Sequence, residues 1–76
     1  MSQLKKTSGK ECLKILCNKF GFVIKRQRGS HVVLRKETTE GAVGTVVPMH
    51  HEIKLPTLRN VLKLAKVDEE DFIQYQ

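Results

Sequence analysis

Phe22-Val23-Ile24-Lys25-Arg26-Gln27-Arg28-Gly29-Ser30-His31-Val32-Val33-Leu34-Arg35-Lys36 is the stretch whose reading decides the fold. From Phe22 to Arg28 the side chains alternate, with Phe22 and Ile24 on one face and Val23, Lys25 and Gln27 on the other. A period of two is the signature of a strand, because successive Cβ atoms leave a pleated backbone on opposite sides. Arg28-Gly29 reads as a short turn, with Gly29 supplying backbone angles that a Cβ would disfavour. A second strand then runs from Ser30 to Lys36. Its Val32 and Leu34 share the face that should meet a core, and His31, Val33 and Arg35 share the opposite face.

Upstream, Ser8-Gly9-Lys10-Glu11 fits a capping box, in which the serine oxygen and the glutamate carboxylate each satisfy an orphan backbone donor. Leu13, Leu16, Cys17 and Phe20 follow at i, i+3, i+4 and i+7, one apolar face of a helix. Gly21 is a natural stop, so the first helix is placed at residues 9–20. Downstream, residues 37–41 are polar and read as a loop. Residues 42–47 form a third strand ended by Pro48, apolar on both alternations, so its inward set stays open. Residues 49–54 connect to a second helix capped by Thr57, whose Leu58, Val61, Leu62 and Ala65 repeat the same helical spacing. Asp68 can cap a last short helix containing Phe72.

The order is helix, three meandering strands, helix, helical tail, with no repeat or linker, which predicts a single α+β domain over residues 1–76. Three antiparallel strands flanked by two amphipathic helices bury one sheet face under both helices, giving an αβββα two-layer sandwich. The other sheet face is left open. By the alternation above it presents Lys25, Gln27, His31 and Arg35.

Charge points to the partner of that face. The chain of 76 residues carries a formal net charge of +6, with 14 Lys and Arg against 8 Asp and Glu. Residues 1–36 hold ten of the basic residues and only one acid, Glu11, a net +9, whereas residues 37–76 carry −3. A one-sided positive field draws in polyanions, so nucleic acid is the favoured partner and an anionic membrane surface the second. The basic residues on the two helices, such as Lys14 and Arg59, read equally well as solvated faces or as phosphate contacts. Few aromatics are present, three Phe and one Tyr, and none is expected on the open face, which argues against a base-stacking platform.

Other classes are disfavoured. No apolar run nears the roughly 20 residues of a membrane span, and residues 1–10 lack the apolar stretch of a secretory signal. A cytoplasmic location follows as the expectation. Cys12 and Cys17, five apart on one helix, point in different directions and read as small, half-buried residues in a reducing compartment. Four of the acids, Asp68 to Asp71, lie in one run suited to a helix N-terminus, so the convergent carboxylates of a two-metal nuclease are not expected. His50 and His51 are adjacent in an extended segment and point opposite ways. His50 reads as fixing the turn after the third strand, or at most assisting His31. No metal and no cofactor are expected.

His31 carries the sharpest chemistry. Imidazole titrates near 6.5, so it can take or give a proton at neutral pH. An RNA 2′-hydroxyl attacks its own phosphate once a base removes its proton, and Lys25 and Arg35 are placed to stabilise charge on the phosphorus oxygens. The residues alone leave a second reading open, an exposed histidine that only contacts RNA.

Three segments together resemble the HicA toxin family: Gly21-Phe22 followed by Arg26-Gln27-Arg28-Gly29-Ser30-His31, similar to that family's Gly-Ser-His hairpin; Val46-Val47-Pro48-Met49-His50, similar to its Val-Pro-x-His segment; and Thr57-Leu58-Arg59-Asn60-Val61-Leu62, similar to its Thr-Leu-Arg helix start. Order and spacing also match, over about residues 8–72. The resemblance implies a fold like that of double-stranded-RNA-binding domains, metal-independent endoribonuclease cleavage of messenger RNA, and inhibition by a HicB-like antitoxin covering the active face. It also implies that His31 is the catalytic residue. Lys25, Arg28 and Arg35 are then the expected phosphate contacts, and Gly29 and Ser30 the hairpin residues that place His31. The alternative is a non-catalytic double-stranded-RNA-binding module, or an inactive toxin homologue, on the same fold.

Overall fold

The computed structural model describes residues 3–76. Its elements follow in the order α1 (Gly9–Phe20), β1 (Val23–Arg28), β2 (His31–Thr38), β3 (Gly41–Pro48), α2 (Leu55–Ala65) and α3 (Glu69–Ile73). The strands form one antiparallel sheet in the order β1-β2-β3. Both long helices lie on one of its faces. Cys12, Ile15 and Leu16 of α1 and Leu58, Val61 and Leu62 of α2 share a single core with Val32, Leu34 and Val47 of the sheet. This is the α+β, αβββα sandwich expected, with an open second face.

Helix α1 begins and ends where the sequence places it. The Ser8 hydroxyl oxygen accepts from the Glu11 N–H at 3.0 Å, and Gly21, in the left-handed conformation, donates its N–H to the Leu16 carbonyl. Its buried stripe is rotated from expectation, however. Cys12, Ile15 and Leu16 face the sheet, while Leu13, Cys17 and Phe20 are partly buried at the flank. Phe20 instead stacks toward α3, 6.5 Å from the Phe72 ring and 5.7 Å edge-on from Tyr75. The flank is apolar because a third helix covers it.

Gly9 is held by contact. A Cβ there would meet the Pro48 carbonyl oxygen and lie 2.6 Å from the Met49 Cα. The absent side chain lets α1 start directly on the segment that follows β3, and the Gly9 N–H donates to the His50 carbonyl at 2.9 Å. A second tie, from the Ile53 N–H to the Thr7 carbonyl at 2.7 Å, fixes the approach to α2.

The β1–β2 turn consists of Gly29 and Ser30, one residue later than Arg28-Gly29. Arg28 and His31 are partners across it, and Gly29 takes φ +56° at the first central position while Ser30 does not turn positive, the pattern of a II′ hairpin turn. A bulge between Ile24 and Arg26 changes the parity of β1. Arg26 pairs with Val33 and Arg28 with His31 on the open face, whereas Gln27 pairs with Val32 on the helix side. The expected placement of Gln27 beside His31 is thereby corrected. Ile24 does pair with the core residue Leu34, yet it is 57% exposed, because the helices do not reach the β1 edge of the sheet.

Two further boundaries move. Strand β2 continues to Thr38, so the loop expected at residues 37–41 shrinks to the two-residue turn Thr39-Glu40, and β3 includes Pro48. Thr45, Val47 and Pro48 are the buried positions of β3, and the Thr45 hydroxyl donates to the Val61 carbonyl of α2 at 2.8 Å. Helix α2 starts at Leu55 behind Lys54, with no side-chain cap. Pro56 is compatible with the first turn, where its missing N–H would have no partner anyway. Thr57 is therefore inside the helix, its hydroxyl released from capping. At the other end the Asp68 carboxylate caps α3, as expected, accepting from the Glu70 N–H at 2.8 Å.

Candidate active site

His31 is the first residue of β2, exposed, on the uncovered sheet face. Three local causes put it there. The Gly29-Ser30 turn reverses the chain immediately before it. Strand alternation sends Val32 and Leu34 into the core and so turns His31 outward. On the far side, His31 pairs with Pro48, and the Met49 N–H donates to the Ser30 carbonyl at 2.6 Å, locking the turn to β3.

Arg28 is the cation nearest in register, directly across the hairpin from His31. Arg26 is the next on that face, and Lys25 sits at the bulge, lining a shallow hollow with Arg26, Val33 and Arg35. Arg35 is four residues from His31 on one strand, about 13 Å along it at about 3.3 Å per residue. The Arg35 guanidinium is drawn toward Glu37 and away from the turn that carries His31. The structure thus divides the expected site in two, His31 with Arg28 at the turn and Lys25 with Arg35 farther down the sheet. Lys25 and Arg35, expected beside His31, are thus farther from it in register than Arg28 is. Arg35 is also paired, its Nε 2.8 Å from the Glu37 Oε2.

Beside His31, toward α2, lies a groove of about 450 Å³ that sequence reasoning did not foresee. Its strand side is Val46 and Pro48, and its helix side is Thr57, Asn60 and Leu64, one stripe of α2 at helical spacing. Leu64 is 51% exposed. His50 lines the same groove as His31, and its carbonyl accepts from the Gly9 N–H. Neither imidazole takes part in the side-chain hydrogen bonds among the described residues. Arg26 was missed because a bulge leaves no mark in a single sequence. The groove was missed because it joins β3 to α2 across the fold.

Other reactive groups are remote. Burial pushes the Cys12 thiol up to about 12 and raises Cys17 as well, so neither is an activated nucleophile. Among the described residues, no three His, Cys, Asp or Glu side chains cluster as metal ligands, and no helix is long and apolar enough to cross a membrane.

A family model described as HicA toxin of bacterial toxin–antitoxin matches residues 9–67. That span runs from the first residue of α1 to just past α2, so it includes the hairpin, the sheet and both groove walls. No curated protein and no solved structure matches the chain.

Proposed function

The chain belongs to the HicA toxin family of bacterial toxin–antitoxin systems, and from that premise we propose that it is an endoribonuclease that cleaves messenger RNA with His31 as an acid–base catalyst. The observation that carries this reading is the position of His31, exposed on an uncovered sheet face with Arg28 directly across a locked two-residue turn. RNA supplies its own nucleophile. When the 2′-hydroxyl loses its proton it attacks the adjacent phosphorus and the 5′ oxygen departs, leaving a 2′,3′-cyclic phosphate and a 5′-hydroxyl. An imidazole at the phosphate takes or gives one of the protons, and the Arg28 guanidinium faces the phosphorus oxygens as charge builds on them. Lys25, Arg26 and Arg35 hold the chain farther along the face through its phosphates, without reading its sequence. One positioned acid–base group is worth about 10²–10⁴-fold, so a slow enzyme is expected.

The partner that silences it is proposed to be a HicB-like antitoxin seated on the same face. That face combines cations with exposed Val23 and Val46, which suits acidic and apolar groups together. An antitoxin complex in which His31 keeps its full solvent exposure contradicts this part of the reading.

The test is expression of the wild type and His31→Ala in a bacterial host, following growth and the integrity of total messenger RNA. The wild type should arrest growth and fragment messages. His31→Ala, shown to be folded by circular dichroism, should do neither. Equal fragmentation by both removes His31 from catalysis. Binding of RNA without cleavage by either makes the chain an RNA-binding module.

A further inference from the structure

The proposed cleavage moves two protons, one off the 2′ oxygen and one onto the leaving 5′ oxygen, and His31 accounts for only one of them. We infer that His50, which lines the groove between β3 and α2 together with His31, is the general acid that protonates the leaving oxygen; the inference rests on the RNA-cleavage reading.

The backbone fixes the relation of the two rings. His31 and His50 each adjoin a residue of the hydrogen-bonded pair Ser30 and Met49, whose N–H···O distance is 2.6 Å. His31 is the register partner of Pro48, and His50 lies two residues beyond Pro48. Strand β3 ends at Pro48, so His50 lies just beyond the ladder, and both histidines line one groove. The groove they share, about 450 Å³, has room for one phosphodiester beside both imidazoles. The Gly9 N–H grips the His50 carbonyl from the other side, so the residue is anchored on both flanks while its ring stays free.

The groove tells the two sides of the scissile bond apart. Arg26 and Arg28 lie on the β1 side of His31, and the groove on the β3 side has apolar walls of Val46, Pro48 and Leu64, with Thr57 and Asn60 and one opposed pair of charged residues, Lys54 and Glu52, in its lining. Its volume falls within the about 300–1,000 Å³ of small-ligand sites, apolar with a few polar groups. The product carrying the cyclic phosphate is anionic at the reacting end and remains with Arg28. The product carrying the 5′-hydroxyl is uncharged at that end and fits the groove side, beside His50, where apolar walls meet the mutually offsetting charges of Lys54 and Glu52.

The step balances without a further reactant. A neutral His31 accepts the 2′-hydroxyl proton as the 2′ oxygen bonds to phosphorus. The bond from phosphorus to the 5′ oxygen breaks, and that oxygen takes the proton of a protonated His50. His31 leaves the step protonated and His50 neutral, and exchange with water restores both.

The experiment compares wild type, His31→Ala, His50→Ala and His50→Gln on an RNA oligonucleotide and on the same oligonucleotide with sulfur replacing the 5′ bridging oxygen at the cleavage site. A thiolate leaves without being protonated. On ordinary RNA, both His50 variants should lose about 10²–10⁴-fold, the range of one acid–base group. On the sulfur-bridged substrate they should recover to near the wild-type rate, while His31→Ala stays slow on both. Thermal melts of the His50 variants should match the wild type, because the Gly9 contact uses the His50 carbonyl and not its ring. Wild-type rates on ordinary RNA, or equal impairment of the His50 variants on both substrates, overturn the assignment. Failure of the wild type to cleave either substrate removes the nuclease reading, and this inference with it.

Discussion

The Nε of Arg35 and the Oε2 of Glu37 lie 2.8 Å apart, two residues apart on β2 and so on the same, uncovered face of the sheet. Both side chains are about half exposed or more, so the pair adds little to stability. Its effect is on the surface field, where a carboxylate cancels one cation of the open face. Glu37→Gln should therefore tighten binding of a short RNA by several-fold at low salt and steepen the salt dependence. Arg35→Ala should weaken binding and lower the slope of log affinity against log salt by about 1. Both are read in a His31→Ala background, where cleavage does not interfere. Unchanged slopes in both variants place Arg35 outside the phosphate path.

Gly9 makes a sharper demand on the fold. Its missing Cβ is what lets α1 sit against Pro48 and Met49, and the atoms it would strike belong to backbone. Overpacking costs about 1–3 kcal/mol where side chains can yield, and more where they cannot. For a domain of this size each kcal/mol shifts the melting temperature by about 4–8 °C. Gly9→Ala should then melt at least about 10 °C below the wild type. Lys10→Ala, one residue along the same helix and exposed, should stay within a few degrees. A Gly9→Ala protein as stable as the wild type shows that the helix shifts freely on the post-β3 segment.

The outline of the fold was legible because its signals are local. Ser8 and Glu11 mark the start of α1, Gly21 its end, and the alternation of Val32 and Leu34 separates the two sheet faces; all three hold in the structure. The position of His31 on the open face follows from that same alternation. What escaped depends on tertiary contact. The rotated stripe of α1 reflects α3 covering Phe20, and the early start of α2 reflects a proline that suits the first helical turn. The bulge in β1 exchanged Gln27 for Arg26 and Arg28 beside His31, and no residue type announces it. The groove next to His31 needs β3 and α2 side by side, which the Thr45 hydroxyl helps to fix and the sequence pattern does not display.

The uncovered β1 edge also yields a stability contrast between two residues that pair directly. Leu34 is fully buried, and Ile24 opposite it is 57% exposed. Leu34→Ala should cost about 2–5 kcal/mol by urea unfolding, as core truncations do. Ile24→Lys should change stability by no more than about 0.5 kcal/mol, as surface substitutions do. A large loss for Ile24→Lys would put that side chain under the helices and restore the unbroken alternation of residues 22–28.

The two cysteines give a prediction in alkali whose sign follows from burial alone. Cys12 is buried in the core, and its thiol is pushed from 9.0 up to about 12 because a thiolate there would lack solvent. The unfolded chain gives up that proton at its ordinary value, near 9.0, while the folded chain still holds it. Above that value the unfolded state binds fewer protons, so deprotonation favours unfolding. The contribution of Cys12 is present in full below about pH 9 and is lost as pH rises toward 12, with a limiting slope of about 1.4 kcal/mol per pH unit. Urea unfolding at a series of pH values should show stability falling faster for the wild type than for Cys12→Ala, whose neutral side chain removes this one proton. The difference between them isolates Cys12 from the lysines and tyrosine that titrate in the same range. Thiol labelling offers the independent reading. Cys17, only partly buried, should react with a thiol reagent in the native protein, whereas Cys12 should react at the rate of unfolding. Equal labelling of both thiols in native buffer would mean that α1 opens from the sheet far more often than its packing allows.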